Sequence, residues 1–118
     1  MDESTPLATV RQHVEAFNEG DLEGLLALFT KSATFVTGET TASSRDELSE
    51  LFGPAMKDLS PHLEVLEMVG ERDVVACQLR ETLTFQGERL TFEIVAFFVV
   101  SNGLIAQGKV YREGSSEL

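Results

Sequence analysis

The residue of this sequence best placed for chemistry is an acid on an apolar strand face. Successive side chains of a strand point to opposite faces, so the run from Cys77 to Phe85 places Leu79, Glu81 and Leu83 together on one face. Desolvation there disfavours the charged carboxylate and so raises its pKa, which is the usual way in which a carboxyl group becomes suited to general acid or base catalysis. Glu81 is therefore the candidate catalytic base. The structural alternative is that it pairs with a nearby cation or reaches solvent at a pocket rim.

His13 is the second catalytic candidate. It lies at the edge of the apolar helical stripe formed by Val10, Val14 and Phe17, where it can face a pocket and work with Glu81. A lone histidine at such an edge is more often half-exposed or simply hydrogen-bonded.

The remaining reactive residue types form no recognisable site. The two histidines and the scattered acids lack metal-ligand spacing, so we predict no metal and no cofactor. Cys77, with no histidine assigned beside it, is predicted to be an inert core thiol.

Composition limits the classes of protein that this chain can belong to. The 118 residues, 42% of them hydrophobic, fit one globular domain covering residues 1–118. The net charge of -11 argues against nucleic acid or an anionic membrane surface as a partner. A lone cysteine and an acidic, polar start without a signal-peptide pattern favour the cytoplasm.

Helices are predicted for most of the first half of the chain. Thr5-Pro6 reads as the start of the first helix and Gly20-Asp21 as its joint to a second, whose apolar stripe continues to Phe29. A short strand at 33–37 and a polar stretch at 38–43 follow. The third helix opens at Ser44, and Gly53-Pro54 interrupts or bends it.

The second half reads as an antiparallel sheet. Turn signals separate four strand-like runs, at 63–69, 74–86, 89–101 and 104–112, and residues 113–118 read as a flexible tail. Helices followed by a meander predict an α+β domain with the helices packed on one sheet face.

The run from Leu90 to Val100 is apolar on both faces, unlike a half-exposed antiparallel strand. The helices can cover only one of these faces. We therefore predict a homodimer through the outer face of the sheet.

The chain resembles the SnoaL-like, ketosteroid isomerase-like branch of the nuclear transport factor 2-like superfamily. The resemblance extends from Leu7 to Arg112 and rests on the order and spacing of several segments, namely Phe17-Asn18-Glu19-Gly20-Asp21-Leu22, Leu28-Phe29, Ala33-Thr34-Phe35, Phe98-Val99-Val100-Ser101-Asn102-Gly103 and Val110-Tyr111. It implies a cone-shaped fold of three N-terminal helices packed on a curved antiparallel sheet, a pocket between them, and frequent dimerisation.

The same resemblance turns the apolar core into a pocket for a small apolar organic ligand. The implied lining consists of the inward residues Phe17, Phe35, Leu48, Leu51, Phe52, Met56, Leu79, Leu83, Ile94, Ala96, Phe98 and Val110. The small residues Ala96, Ala106 and Gly108 would leave room for a ligand, and Tyr111 would lie on the dimer side.

The catalytic sets of two related enzyme groups are incomplete in this chain. Glu81 approximately matches a catalytic aspartate of the limonene-epoxide hydrolases, but Leu79 stands where they have an arginine and Val110 near their second aspartate. Thr37 and Ala96 stand near the two aspartates of the ketosteroid isomerases.

The leading hypothesis is an enzyme of the isomerase or cyclase type, which performs proton transfer on an apolar carbonyl compound with Glu81 as base. The rival is a non-catalytic ligand-binding or interaction domain, which the missing acid pairs favour. Epoxide hydrolysis would require a second carboxyl group beside Glu81.

Overall fold

Helix α1 has the boundaries that its capping residues predict. In the computed structural model, which describes residues 5–112, α1 spans Pro6–Glu19. The Thr5 hydroxyl accepts a hydrogen bond from the Ala8 amide at 3.1 Å, and Gly20 ends the helix in the left-handed conformation at a φ of 71°. Both predicted ends are confirmed, because local backbone chemistry determines each of them.

Helix α2 is shorter than the apolar spacing predicts. It spans only Leu22–Leu26, and Phe29 begins strand β1 (Phe29–Thr37) instead of completing a helical stripe. The prediction is wrong because sheet pairing starts here, where the Leu28 carbonyl accepts a hydrogen bond from the Ile105 amide at 2.7 Å. Local periodicity carries no information about so distant a partner.

Helix α3 spans Arg45–Leu59 and is continuous through Pro54. The Ser44 hydroxyl accepts a hydrogen bond from the Glu47 amide at 3.1 Å, which confirms the predicted cap. The proline does not interrupt the helix, since residues on both sides of it pack against the same core.

Six strands form a strongly curved sheet in the described part of the chain, in the order β2-β1-β6-β5-β4-β3. Besides β1, they are β2 (Thr40–Ala42), β3 (His62–Glu71), β4 (Val74–Phe85), β5 (Glu88–Ser101) and β6 (Leu104–Arg112). The four runs predicted from residue 63 onward are confirmed as β3 to β6. The α+β class with three helices on a curved sheet is likewise confirmed.

Two details of the sheet differ from the prediction. The sheet is mixed, because β1 pairs with β6 in parallel, and the stretch predicted to be merely polar contains β2, which pairs antiparallel with β1. The parallel pairing depends on β6, a strand distant in the sequence, whereas β2 pairs with its neighbour β1 through a tight turn at Gly38, where φ is 61°.

Two hairpins have the backbone that their sequences demand. Gln86 and Gly87 have φ values of 54° and 84°, and Asn102 and Gly103 have values of 52° and 82°. Two consecutive positive φ values match the twist of a tight antiparallel hairpin. These turns bring β4, β5 and β6 side by side.

The two faces of the sheet have different surroundings. The inner face packs under α1 and α3 and carries most of the buried apolar side chains. The outer face leaves Val95, Phe97 and Tyr111 exposed, so β5 is apolar on both faces, as its sequence predicts. The predicted tail, residues 113–118, lies outside the described residues.

No helix within residues 5–112 is both long and apolar enough to cross a lipid bilayer.

Candidate active site

A cavity of about 180 Å³ lies between α1, α3 and the inner face of the sheet. In another protein, an apolar cavity of about 150 Å³ accommodates benzene, so this one is of a size for a molecule of one or two rings. Ten of the twelve residues predicted for the pocket line it, namely Phe17, Phe35, Leu51, Phe52, Leu79, Leu83, Ile94, Ala96, Phe98 and Val110.

Two residues predicted for the lining lie elsewhere. Leu48 is fully buried in the core, and Met56 packs against the core without reaching the cavity. The face of α3 that lines the cavity carries Leu51, Ala55 and Leu59, spaced four residues apart. Leu48 and Met56 lie on the neighbouring row that includes Phe52, about 100° around the helix, and of these three residues only Phe52 reaches the cavity.

Gly108 leaves room for a side chain of the protein rather than for a ligand. A Cβ atom at this position would lie 2.6 Å from Cδ1 of Phe35, so the missing side chain lets the Phe35 ring pack against β6. Ala106 does not line the cavity, whereas Ala96 does.

Glu81 lines the cavity and is only 7% exposed. It lies on β4 between Leu79 and Leu83 on the inner face, where strand alternation placed it. The Glu81 carboxylate accepts a hydrogen bond from Nη1 of Arg112 and forms an ion pair with it. The pairing with a cation, left open as an alternative by the sequence, is therefore present.

Arg112 is the site residue that sequence reasoning missed. It ends β6, and its side chain crosses over β5 to reach Glu81 on β4, with its Cζ atom 5.9 Å from the ring centroid of Phe92. Alternation contained the signal, since Arg112 follows the inward-facing Val110 by two residues. The cation beside Glu81 therefore comes from β6, and not from position 79 of β4 itself.

His13 lines another part of the cavity and is 4% exposed. Its ring makes edge-type contacts with Phe29 and Phe98 at centroid distances of 5.6 and 5.3 Å. Its Nδ1 atom is buried and has no hydrogen-bond partner among residues 5–112. Burial lowers the pKa of His13 from 6.5 to about 4, because the imidazolium ion would be desolvated. The ring is therefore neutral at pH 7.

The structure does not bring His13 and Glu81 together. His13 packs on Phe98, whereas Glu81 pairs across the sheet with Phe92. Six residues of β5 separate these positions, roughly 20 Å of extended strand. No hydrogen bond joins the two side chains.

Cys77 lies on the same strand face as Glu81 but is buried away from the cavity lining. Burial raises the pKa of the Cys77 thiol to about 11, an effect that the charge of Arg11 partly offsets. A thiol in this state is a poor nucleophile at neutral pH. Within residues 5–112, no three histidine, cysteine or acidic side chains lie close enough together to hold a metal ion.

The helices and the curved sheet, with an apolar pocket between them, define a member of the nuclear transport factor 2-like class. The chain belongs to the SnoaL-like domain family, whose sequence model matches residues 10–108. Among curated proteins, none matches the sequence significantly.

Solved structures with the same fold cover nearly the whole chain. Bal32a, from a soil-derived mobile gene cassette, is 24% identical with a TM-score of 0.84, over 92% of this chain and 89% of that one. An epoxide hydrolase from M. tuberculosis, described as LEH-like, is 14% identical with a TM-score of 0.84, over 92% and 82%. TerC, co-crystallised with polyporic acid, is 16% identical with a TM-score of 0.84, over 96% and 95%. At these identities the likeness establishes the fold alone.

Proposed function

We propose that this protein is an enzyme that binds a small apolar carbonyl compound and catalyses proton transfer, with Glu81 as the base. One observation carries the proposal. The carboxylate of Glu81 is 7% exposed, lines an otherwise mostly apolar cavity and forms an ion pair with Arg112. Such an arrangement is costly unless the acid is paired. The co-crystal of TerC with polyporic acid supports an organic ligand for this fold.

The proposed reaction is an isomerisation through an enolate. Glu81 removes a proton from the carbon next to the carbonyl group, and the electron pair of that C–H bond moves onto the carbonyl oxygen. Glu81 then returns the proton to a different carbon, so no net proton, electron or atom is lost. Arg112 orients the carboxylate, and its positive charge stabilises the enolate oxygen electrostatically.

Deuterium exchange tests this proposal without knowledge of the natural substrate. Ketones of one or two rings, such as 1-indanone and 1-tetralone, suit the cavity, and incorporation of deuterium next to their carbonyl group is followed by NMR in D₂O. The wild-type protein should accelerate exchange, and Glu81→Gln should reduce the acceleration about a hundredfold or more.

Glu93→Gln is the matched control for this experiment. Glu93 lies on the outer face of β5, where it pairs with Arg80 at 3.1 Å, so its loss should leave the exchange rate unchanged. Equal acceleration by the wild-type protein and Glu81→Gln would refute the role of Glu81.

The second candidate function is non-catalytic ligand binding. Among the described residues that line the cavity, Glu81 is the only carboxylic acid, so the pair of acids used by related enzymes is incomplete. Tight binding of the ketones without accelerated exchange would favour this function. Epoxide hydrolysis has no support, since it needs a second acid beside Glu81.

We also propose that two copies of the chain associate through the outer face of the sheet. Val95, Phe97 and Tyr111 are 37%, 47% and 50% exposed there, and the rings of Phe97 and Tyr111 are in contact, with their centroids 6.0 Å apart. Burial of these side chains against a second copy would remove a large apolar surface from water. Light scattering at micromolar concentration should give twice the 13.0 kDa mass of one chain, and the mass of one chain would contradict the proposal.

The lone buried thiol supports the reducing cytoplasm as the site of action.

A further inference from the structure

His13 is a polar residue surrounded by apolar aromatic rings. Its ring lies among four phenylalanine rings, those of Phe29, Phe35, Phe52 and Phe98, at centroid distances between 5.3 and 6.4 Å. The side chain is 4% exposed, and within the described residues Nδ1 has no hydrogen-bond partner.

A buried polar atom without a partner is unfavourable, because it has lost its hydrogen bond to water and gained none in return. A leucine or phenylalanine at this position would avoid that loss. The imidazole also lines the cavity, so a molecule inside the cavity contacts the ring, and a half-turn of the ring about its Cβ–Cγ bond, which exchanges Nδ1 with Cδ2, allows that molecule to supply the missing hydrogen bond.

We propose that His13 is a ligand-binding residue that forms a hydrogen bond with a neutral hydroxyl or carbonyl group of an otherwise apolar, ring-containing ligand. This inference rests on the proposed function only in requiring that the pocket binds a small molecule. It gives His13 a role in specificity rather than the catalytic role beside Glu81 that the sequence suggested.

The charge state of the ring determines the class of ligand group. Burial keeps the pKa of His13 near 4, and a neutral imidazole has one N–H donor and one acceptor nitrogen. It can therefore donate to a carbonyl oxygen or accept from a hydroxyl group. A carboxylate or phosphate would instead require a positive charge, and the described lining residues near His13 are phenylalanines.

The position of His13 indicates which end of the ligand carries this group. Arg112 marks the more open end of the cavity, with 29% of its side chain exposed, whereas His13 and Phe98 are almost completely buried. The hydrogen-bonding group is therefore at the end of the ligand that enters first. The reacting carbon would lie toward Glu81, nearer the opening.

A pair of probes that differ by one hydroxyl group tests the proposal. Naphthalene and 2-naphthol have nearly the same shape, and their affinities for the wild-type protein and for His13→Phe are measured by titration at pH 7. The substitution should weaken binding of 2-naphthol about tenfold, the effect of one buried hydrogen bond, and should leave binding of naphthalene unchanged.

Two further variants separate a binding role from a structural one. His13→Gln retains a donor and an acceptor and should recover part of the affinity for 2-naphthol. Glu81→Gln should retain the full preference for 2-naphthol, even though it abolishes proton transfer. Circular dichroism verifies that each variant is folded.

Three outcomes would overturn the role of His13. They are equal losses for both probes in His13→Phe, an unchanged affinity for 2-naphthol, and no binding of either probe by the wild-type protein. Failure of the proposed catalysis gives a different result, because deuterium exchange would be absent while the preference for 2-naphthol remained.

Discussion

Replacing His13 by phenylalanine should make the stability of the protein less sensitive to acid. The side chain is 4% exposed, and burial lowers its pKa from 6.5 to about 4 in the folded state. Between these two pH values the unfolded chain binds a proton at His13 that the folded chain does not. The free energy of unfolding therefore falls as the pH falls through this window, and this contribution is fully present only above about pH 6.5.

The size of the effect follows from the two pKa values. Each pH unit between 6.5 and about 4 corresponds to about 1.4 kcal/mol, so the whole contribution is about 3 kcal/mol. Roughly 2 kcal/mol of it is lost between pH 7 and pH 5. This is a large fraction of the stability of a small domain.

Urea unfolding at several pH values from 5 to 7.5 measures the effect. This range stays above the isoelectric point near pH 4.4, where the protein carries little net charge. The wild-type protein should lose roughly 2 kcal/mol more than His13→Phe between pH 7 and pH 5. Comparison with the variant cancels the contribution of the acidic residues, which titrate in both proteins.

The exposed histidine provides the matched control. His62→Phe changes the same residue type at a solvent-accessible position, so this variant should retain the pH dependence of the wild-type protein. Parallel stability curves for the wild-type protein and His13→Phe would refute the reasoning, because they would mean that the folded state accommodates the protonated ring.

Two other substitutions test the packing and the assembly. Gly108→Ala should lower the free energy of unfolding by about 1–3 kcal/mol, because the added Cβ would lie 2.6 Å from the Phe35 ring. Urea unfolding measures this free energy. A variant as stable as the wild-type protein would show that the Phe35 ring moves aside without cost. Phe97→Lys should convert the proposed dimer to a monomer in light scattering, because a charge at the centre of an apolar interface is costly. Phe85→Lys, which changes another exposed phenylalanine outside that face, should leave the dimer intact. If Phe97→Lys also remains a dimer, the outer face is not the interface.

Local sequence signals predicted the parts of the fold that depend on a few neighbouring residues. The cap at Thr5, the helix end at Gly20 and the turn at Asn102-Gly103 were all predicted correctly. Each of them follows from backbone preferences that act within about four residues. The end of α2 was not predicted, because the pairing of β1 with the distant β6 overrides the helical spacing at Phe29.

In the candidate site, too, local signals predicted one part and the packing of distant strands decided the other. Alternation along β4 was sufficient to place Glu81 on the apolar face, since the side-chain period of a strand is a property of its backbone. That Arg112 reaches Glu81 depends on the order of three neighbouring strands, which alternation within one strand does not specify.

The sequence by itself determined the class of fold, the strands and turns of its second half, and the acid on an apolar strand face. Only the tertiary structure decided that Arg112 pairs with this acid, that Nδ1 of His13 has no hydrogen-bond partner within the described part of the chain, and that Phe35 fills the space at Gly108. The physical reason is the distance along the chain over which each interaction acts. Backbone preferences act between neighbours in the chain, whereas burial and ion pairing depend on which distant segments the sheet brings together.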